Sequence, residues 1–458
     1  MNYSKSIKIA IFLILASVTV MFSNGIFTQK IQVADVVFLA VFIPVAVKFI
    51  SERKKVYLSP FIKPMAMYLL AAALSIFVSV NLMTTTIEFI GICYLILLFL
   101  LLINIVDTKE LFYYGVWCWV VISVAVCIIG LYGIILAYGF NINNPFVGLW
   151  LKHPYINHLY RVHSTFFQNE KFFSSYLLIS IPLTLSLVFY EKRGRVRSFL
   201  IAALVLFLIN AFFTYSRSLV GILSAIYIVA FRCSGYLASK RNFFVRSLKI
   251  SGIVFIAVIW AATILFSYVQ LIGVSSKTAK LYDLPEGMQE PFYYRHDIGI
   301  ERTDTTVYYN YTYYLFLKKY ALKMFAERPL LGVGGGAFLD KMKIYDLEGK
   351  APQNYLLYDP HSMFFGSLAE GGMIGFGALI FLWSAIIFFI RKRIKDYRDD
   401  FIFYVAVASY AAIIGYFIQG TDIDIMNFRF LWLLFGFAAI ALRLPDGPKK
   451  GIADAGNN

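Results

Sequence analysis

The sequence predicts an all-α polytopic membrane protein with about 12 transmembrane helices and one long external loop. Hydrophobic residues make up 60% of the 458 residues and charged residues only 15%, whereas soluble domains carry roughly one quarter charged residues. Apolar runs of about 17 to 25 residues, each long enough to cross the hydrocarbon core, recur along most of the chain. Lysine and arginine concentrate in alternate connecting segments, as in membrane proteins of defined orientation. A soluble fold is therefore excluded.

The candidate spans are the apolar runs between polar residues. They lie at 7–26, 33–50, 64–80, 86–106, 111–139, 172–190, 198–216, 218–235, 249–271, 361–390, 401–420 and 429–443. The first resembles a signal peptide, since Lys5 and Lys8 precede an apolar run, but no small-residue cleavage site followed by a soluble domain appears. We therefore interpret it as the first transmembrane helix.

The formal net charge of +16 would suggest nucleic-acid binding in a soluble protein. Here it follows the positive-inside rule if the N-terminus is cytoplasmic. The basic clusters then fall in cytoplasmic segments near 48–63, 192–197, 232–249 and 391–398. We therefore predict cytoplasmic termini, location in a bacterial cytoplasmic (inner) membrane, contact with membrane lipids, and no nucleic-acid partner.

One external segment is much longer than the others. It predicts three regions, with nine spans in 1–271, the external loop in 272–360, and three spans plus a cytoplasmic tail in 361–458. Within the loop, Val307 to Glu327 mixes aromatic, aliphatic and lysine residues, which suits an amphipathic helix at the membrane interface. A helix packed on its own loop is the alternative. We expect the chemistry of the protein on this external side.

The strongest local motif is Asp359-Pro360-His361-Ser362 at the start of an apolar run. Asp359 is predicted to cap the helix and Pro360 to occupy its first turn. His361 would then lie at a helix N-terminus, where the helix dipole disfavours imidazolium and leaves a neutral ring that can accept a proton. Free amides there also suit a phosphate.

Glycines follow this motif within the same run. Gly371 and Gly375 form GxxxG, a spacing that lets a neighbouring helix approach closely. The pattern indicates helix packing more simply than catalysis.

Two external arginines could bind an anion. Arg217 lies in a tight turn, Tyr215 to Ser218, between two apolar spans. Its guanidinium could hold a diphosphate bidentately, or simply extend towards water as arginines at helix ends often do. Arg328 precedes a glycine-rich segment that also fits the dinucleotide fingerprint GxGxxA, but no βαβ unit surrounds that segment.

Metal and cofactor sites are not predicted. Asp422 and Asp424 form a DxD pair that we interpret as polar turn residues. His153, His158 and His163 are spaced by five residues and do not share a helical face, and no carboxylate cluster joins them.

At His361 the sequence resembles a known family. HSMFFGSLAEGGMIG resembles the His-(Asn/Ser)-x9-Gly-x2-Gly signature of the bacterial O-antigen ligase and O-antigen polymerase family. The resemblance extends to TYSRSLVG around Arg217 and to RPLLGVGGGAF beginning at Arg328, and it covers roughly residues 160–390 in the family's order. One departure is Gly221, where the family often has leucine four residues after the first arginine.

The resemblance implies a GT-C-like, inverting, metal-independent glycosyltransferase without a cofactor. Its donor would be a glycan on undecaprenyl diphosphate and its acceptor a hydroxyl of a glycan or of lipid A core. His361, Arg328 and Arg217 would be the catalytic residues, the histidine serving the acceptor and the arginines the diphosphate. The predicted substrate-binding residues beside them are Arg161, Ser216, Ser362 and Gly334. Arg161 and Lys171 lie at the mouth of the sixth span, where contact with sugar hydroxyls and ordinary interfacial solvation are the two interpretations.

Alternatives remain within and outside this class. A ligase to lipid A core, a polymerase of repeat units and a protein O-oligosaccharyltransferase are all compatible with the motifs. A transporter or flippase of the same lipid-linked glycan, acting without chemistry, is the alternative from another class. A flippase would need cationic groups through a central cavity, whereas these lie at one membrane face.

Overall fold

The computed structural model describes most of the predicted spans and parts of the external loop. The described residues are 3–21, 32–151, 159–163, 169–233, 252, 254–262, 269–275, 296–297, 305–311, 313–347, 359–394 and 401–444. Most of them are helical, which confirms the all-α membrane fold class.

The helices, in chain order, are α1 (Tyr3–Ser17), α2 (Val33–Ser51), α3 (Ile62–Ile76), α4 (Leu82–Ile105), α5 (Lys109–Ile134), α6 (Glu170–Tyr190), α7 (Gly194–Phe213), α8 (Leu219–Cys233), α9 (254–262), α10 (Tyr313–Glu327), α11 (Phe338–Leu347), α12 (Met363–Ile394), α13 (Phe401–Gln419) and α14 (Arg429–Arg443). A π-helical turn, Ile135–Gly139, extends α5. The strands are β1 (Val147–Leu151), β2 (Leu159–Val162), β3 (Val269–Ser275), β4 (His296–Asp297) and β5 (Thr305–Tyr311). β1 and β2 form an antiparallel pair, and a second antiparallel sheet has the order β3-β5-β4.

The helix positions follow the predicted spans closely. Among the described residues, seven helices are long and apolar enough to cross a membrane, namely α2, α4, α5 with its π turn, α6, α7, α12 and α13. Helices α3 and α8 are apolar but shorter. The predicted span 249–271 is described only in part, and its last three residues belong to β3. The exact number of 12 spans therefore stays a prediction.

The centre of the bundle is formed by α6 and α13. Their apolar windows are 78% and 72% buried, against 17% for α2 and 28% for α7, which lie at the periphery. Helix α8 crosses α13 at a pair of glycines, where a Cβ added to Gly221 would lie 2.6 Å from the carbonyl oxygen of Gly415. This contact explains why Gly221 departs from the family's leucine, since a larger side chain would collide with the α13 backbone.

Polar contacts define two opposite ends of the bundle. At one end the ion pair of Asp35 with Arg429 (2.6 Å) joins the first turns of α2 and α14. We call this end the site face, because the His361 segment lies there. At the other end Lys8 pairs with Glu110 (2.6 Å), and Arg443 donates to the carbonyl of Ile103 (2.8 Å). We call this end the basic face.

The predicted helix from Val307 to Glu327 was wrong in its first part. Residues Thr305–Tyr311 form strand β5, which pairs with β3 along seven residues, and helix α10 begins only at Tyr313. The segment TTVYYNY is rich in β-branched and aromatic residues, which favour a strand when a partner strand is present.

Of the two predicted placements for this helix, the contacts favour packing within the protein. Phe316, Leu317 and Met324 of α10 are buried in a small core with α11 and with Ala369 of α12. The opposite side of α10 is exposed, including Leu315 and Leu322.

Helix α12 is broken at Gly372, whose backbone has φ +58° and ψ −155°. A glycine turn, residues 328–336, repairs the break with main-chain hydrogen bonds. The N–H groups of Val333 and Gly334 donate to the carbonyls of Ala369 and Glu370, both at 3.0 Å. After the break, the N–H groups of 373 and 374 donate to the carbonyls of 329 (2.8 Å) and 330 (3.2 Å). Hydrogen bonds that the helix cannot make itself are thus made by the turn, as membrane burial demands.

This arrangement changes the interpretation of the GxxxG pattern. A Cβ on Gly371 would meet no atom within 4 Å, and one on Gly375 would make only ordinary contacts. A Cβ on Gly372, by contrast, would lie 2.5 Å from the carbonyl carbon of Leu330. The close approach is therefore made by Gly372, and its partner is the glycine turn, where the pattern had predicted a neighbouring helix.

Candidate functional site

The start of α12 is held against the loop between α13 and α14. The N–H of Met363 (2.9 Å) and the hydroxyl of Ser362 (3.2 Å) both donate to the carbonyl of Gly420. The helix begins at Met363, and the Ser362 Oγ accepts the N–H of Phe365 at 3.5 Å. Ser362 therefore occupies the cap position that the sequence had assigned to Asp359.

Asp359 instead shapes the backbone at His361. Its Oδ1 accepts the His361 N–H at 2.9 Å and lies 3.4 Å from the His361 Nδ1. His361 has φ +47°, in the left-handed region that residues other than glycine rarely adopt. Such a backbone costs of order 1–3 kcal/mol and persists where surrounding contacts enforce it, often at functional sites. The imidazole is thus presented from a constrained turn just before the helix.

The environment of His361 keeps its ring neutral. The side chain is only 15% exposed. Burial lowers the pKa of His361 to about 4, and the positive charges of Lys171, Lys318 and Arg217 lower it further, against the opposing effect of Asp359. A neutral ring was predicted from the helix dipole, but burial and three nearby cations are the main causes. At neutral pH this ring can accept a proton.

Arg217 lies in the turn between α7 and α8, as predicted. Its guanidinium forms a short ion pair with the carboxylate of Asp422, from the loop after α13. Tyr215, two residues before Arg217, has φ +45°, so this turn is also constrained. The pairing brings two external loops, distant in sequence, to the His361 segment.

Buried hydroxyl and amide groups next to Arg217 form a hydrogen-bond network. The Gln419 amide nitrogen donates to the hydroxyls of Ser175 and Ser218, both at 2.5 Å. The Ser218 hydroxyl also contacts those of Ser174 and Ser216, both at 2.9 Å. Three segments, the start of α6, the α7–α8 turn and the end of α13, are therefore fixed relative to one another below Arg217.

Lys318 enters the site from the external loop. It is 4% exposed, lies on α10, and has its ammonium nitrogen 5.8 Å from the ring centre of Phe365 on α12. Burial lowers the pKa of Lys318 to about 8, with the charges of Arg217 and Lys171 acting in the same direction and that of Asp422 opposing them. Near neutral pH the loop therefore contributes a positive charge to the site.

Arg161 is connected to the site through Glu170. Its guanidinium pairs with Glu170 at 3.0 Å, in the first turn of α6. Lys171 follows Glu170 directly, and its charge acts on both His361 and Asp422. Arg161 thus joins strand β2 to the first turn of α6, which carries Lys171.

Arg328 and Gly334 lie in a different place. The guanidinium of Arg328 donates to the carbonyl of Val78, at the end of α3. A Cβ on Gly334 would lie 2.5 Å from the Ser79 Oγ, and its φ is +106°. Both belong to the glycine turn, which meets α12 at Ala369, about 12 Å along the helix from His361 by helical rise. The structure brings together His361, Arg217, Ser216 and Ser362, and it places Arg328 and Gly334 beside the helix break.

The DxD carboxylates turn to different partners. Asp422 pairs with Arg217, while Asp424 accepts the N–H of Met426 at 3.0 Å. Burial raises the pKa of Asp424 to about 7, with Asp359 and Glu88 acting in the same direction. Within the described residues no group of three or more histidine, cysteine or acidic side chains could hold a metal ion. His153 and His158 lie outside the described residues.

Three charged residues of this cluster were not predicted as site residues. Lys318 was predicted only as part of an amphipathic helix, Asp422 as a turn residue, and Lys171 as a polar residue at the mouth of a span that either contacts sugar hydroxyls or is solvated at the interface. The available signal for Lys318 was a lysine between apolar positions that repeat every three to four residues. Asp422 carried no such signal, because its partner is 205 residues away.

The comparisons with known proteins agree with these features. Residues 202–380 match the family model Wzy_C, described as O-antigen ligase. The match includes Arg217, the glycine turn and His361, and covers less than half of the chain. No curated protein matches the sequence. The chain is therefore a multi-pass membrane protein whose residues 202–380 are similar to the O-antigen ligase family Wzy_C, and this similarity supports a glycan-joining role of the ligase or polymerase type.

Proposed function

We propose that the protein transfers a glycan from undecaprenyl diphosphate to an acceptor hydroxyl at His361. The observation that carries this proposal is a buried neutral histidine among three cations, Arg217, Lys171 and Lys318. A diphosphate is a strong anion, and cations fixed in a partly buried site stabilise its charge well. The family match supports a lipid-linked glycan as donor and a second glycan as acceptor.

The proposed step is a single displacement. The acceptor hydroxyl oxygen bonds to the anomeric carbon, its proton passes to His361, and the bond from that carbon to the diphosphate oxygen breaks. The released undecaprenyl diphosphate keeps the electron pair, and the cations hold its charge. Since Nδ1 of His361 faces Asp359, we assign Nε2 as the atom that takes the proton of the acceptor hydroxyl. A single displacement inverts the anomeric configuration, and we propose that the three cations stabilise the charge of the leaving group without a metal ion.

The same electrostatics would couple donor binding to base strength. The cations that lower the pKa of His361 are those that would hold the diphosphate. A bound diphosphate would cancel part of their field, so the pKa of His361 would rise towards its ordinary value. The histidine would become a stronger base only when the donor is in place.

Orientation is part of the proposal. We propose that the site face lies on the periplasmic or external side of a bacterial cytoplasmic membrane. The clusters of lysine and arginine at the ends of α2 and α12 and the start of α7 support this placement. Single cysteines in membrane vesicles of known sidedness test it. Cysteine at Lys319 should react with an impermeant maleimide from outside the cell, and cysteine at Lys192 only from inside. The reverse pattern would contradict the orientation.

Transfer by purified His361→Ala tests the function directly. Losing a positioned base typically costs about 10² to 10⁴ in rate, so turnover should fall by that factor while donor binding remains. His163→Ala, at a second histidine on the external side, is the matched control and should retain activity. The same assay with EDTA should proceed unchanged. Near-normal transfer by properly inserted His361→Ala would overturn the assignment and favour transport of the lipid-linked glycan, and full inhibition reversed by a divalent cation would overturn the metal-free step.

A further inference from the structure

A cavity of about 510 Å³ lies at the basic face, at the opposite end of the bundle from His361. Helices α1 and α2 form its apolar walls, with Ala10, Leu13 and Val41 among the lining residues. The ends of α4 and α14 close it, and its rim carries four cations, Lys48, Lys54, Lys55 and Arg443. The cavity thus combines an apolar wall with a basic mouth.

The mouth keeps a positive charge after its internal ion pairs are considered. Lys48 and Lys54 share one carboxylate, Glu52, at 3.4 and 3.0 Å. Asp107 is the acidic residue among those lining the cavity. Four cations therefore face two carboxylates, and the site favours an anion.

Arg443 is positioned as part of the protein framework. It donates to the carbonyl of Ile103 at 2.8 Å, and its guanidinium carbon lies 4.5 Å from the ring centre of Tyr57. Tyr57 is itself joined to Asn104 by two hydrogen bonds, at 2.7 and 3.2 Å. One cation of the mouth is therefore fixed by contacts that do not depend on a ligand.

The cavity also opens towards the surface that faces lipid. Two of its lining residues on α1, Ile9 and Leu13, are 49% and 43% exposed. In a bilayer such apolar side chains lie against acyl chains. An occupant that is apolar along α1 and α2 and anionic at the mouth matches both surfaces.

We propose that this cavity binds one anionic phospholipid from the leaflet at the basic face. Its phosphate would lie among Lys54, Lys55 and Arg443, and an acyl chain would lie along Leu13 and Val41. Basic pockets between transmembrane helices bind lipid headgroups in this way. The proposal is independent of glycan transfer, since the two sites lie at opposite faces.

The test uses the purified full-length protein in a neutral detergent. Phosphatidylglycerol should bind and raise the apparent unfolding temperature, and phosphatidylcholine with the same acyl chains should not. Lys54→Gln/Lys55→Gln should weaken phosphatidylglycerol binding roughly 30-fold, as expected for two lysine contacts to an anionic lipid. Arg195→Gln/Arg197→Gln is the matched control, because it removes the same charge from exposed positions at the same face, and it should bind as the wild type does.

A second variant keeps every charge and fills the cavity. Ala40→Phe, at an exposed lining position, should also weaken lipid binding. Equal binding of phosphatidylcholine, or unchanged binding of phosphatidylglycerol by both the lysine variant and Ala40→Phe, would overturn the proposal. If soluble glycerol phosphate protects the protein as well as the lipid does, the site binds a free phosphate and the lipid assignment fails.

Discussion

The turn Tyr215–Ser218 and the turn 328–336 both place an arginine beside small residues at the site face. In the first, Arg217 pairs with Asp422 within a cluster of charges around His361. In the second, Arg328 donates to a main-chain carbonyl, and the following residues repair the break in α12. The two sequences look equally suited to bind an anion. Their surroundings differ, since the first turn lies among the charges of Asp422, Lys171 and Lys318, whereas the second lies against the carboxyl groups of Glu88 and Glu370.

The largest expected effect is a loss of stability when the glycine at the break in α12 is substituted, which tests the structural role of the turn 328–336. Gly372→Ala forces a side chain into φ +58° and places its Cβ 2.5 Å from the Leu330 carbonyl carbon. Backbone at φ +58° and ψ −155° is essentially confined to glycine and costs another residue of order 1–3 kcal/mol, and the collision adds to it. At about 1 °C per kcal/mol for a chain of 458 residues, the apparent unfolding temperature in detergent should fall by at least about 2 °C.

Gly371→Ala is the matched control, because a Cβ there would meet no atom within 4 Å. It should leave the unfolding temperature nearly unchanged. Equal unfolding temperatures for the two variants would show that the glycine turn does not hold the break.

A smaller effect is expected from the cation that the external loop supplies. Lys318→Met removes a buried charge from the cluster but keeps most of the side-chain volume. A charge-assisted contact contributes about 1.5–3 kcal/mol, so donor affinity should fall at least about tenfold. Lys319→Met, at an exposed neighbouring position on α10, should leave donor affinity unchanged. Equal affinities for the two variants would remove α10 from the donor site.

A still smaller effect is expected in the pH dependence of donor affinity and of kcat/KM, which should report the titration of Lys318 and His361. Since the pKa of Lys318 is about 8, donor affinity should decline as the pH rises through 8, and Lys318→Arg should abolish that decline because arginine stays protonated. On the acid side, kcat/KM should fall only near pH 4, where His361 of the free enzyme gains its proton. The decline of kcat should begin at a higher pH, because the bound donor raises the pKa of His361. The charged groups around these two residues are Lys171 on α6, Arg217 before α8, Asp359 before α12 and Asp422 after α13. A basic limb that persists in Lys318→Arg would contradict the assignment.

Much of the fold could be predicted because the length of an apolar run depends only on consecutive residues in the sequence. The run at 429–443 coincides with α14, and the run at 172–190 begins two residues after α6 does. Strand β5 was missed because its pairing with β3 is not local, and a lysine-containing aromatic stretch fits a helix equally well. The break at Gly372 was missed for a related reason, since glycine spacing alone does not reveal which glycine meets another segment.

The site was predicted less completely than the fold. His361 and Arg217 could be proposed as site residues because each stands out in an apolar, cation-poor context and lies in a motif that resembles the O-antigen ligase family. Asp422, Lys171 and Lys318 come from three other segments, and only the tertiary arrangement brings their charges together. The predicted role of Arg328 in donor binding stays a prediction, which the structure makes testable against a structural role at Val78.

Donor affinity measured side by side for Arg217→Ala and Arg328→Ala tests the account most directly. The dissociation constant of a lipid diphosphate glycan and the unfolding temperature would be measured for each purified, properly inserted variant. The account predicts that Arg217→Ala weakens donor binding about 10- to 100-fold and also lowers the unfolding temperature, because Asp422 loses its ion-pair partner. It predicts that Arg328→Ala lowers the unfolding temperature while leaving donor affinity within about threefold. Unchanged donor affinity in Arg217→Ala, or a large loss of affinity in a fully stable Arg328→Ala, would contradict it.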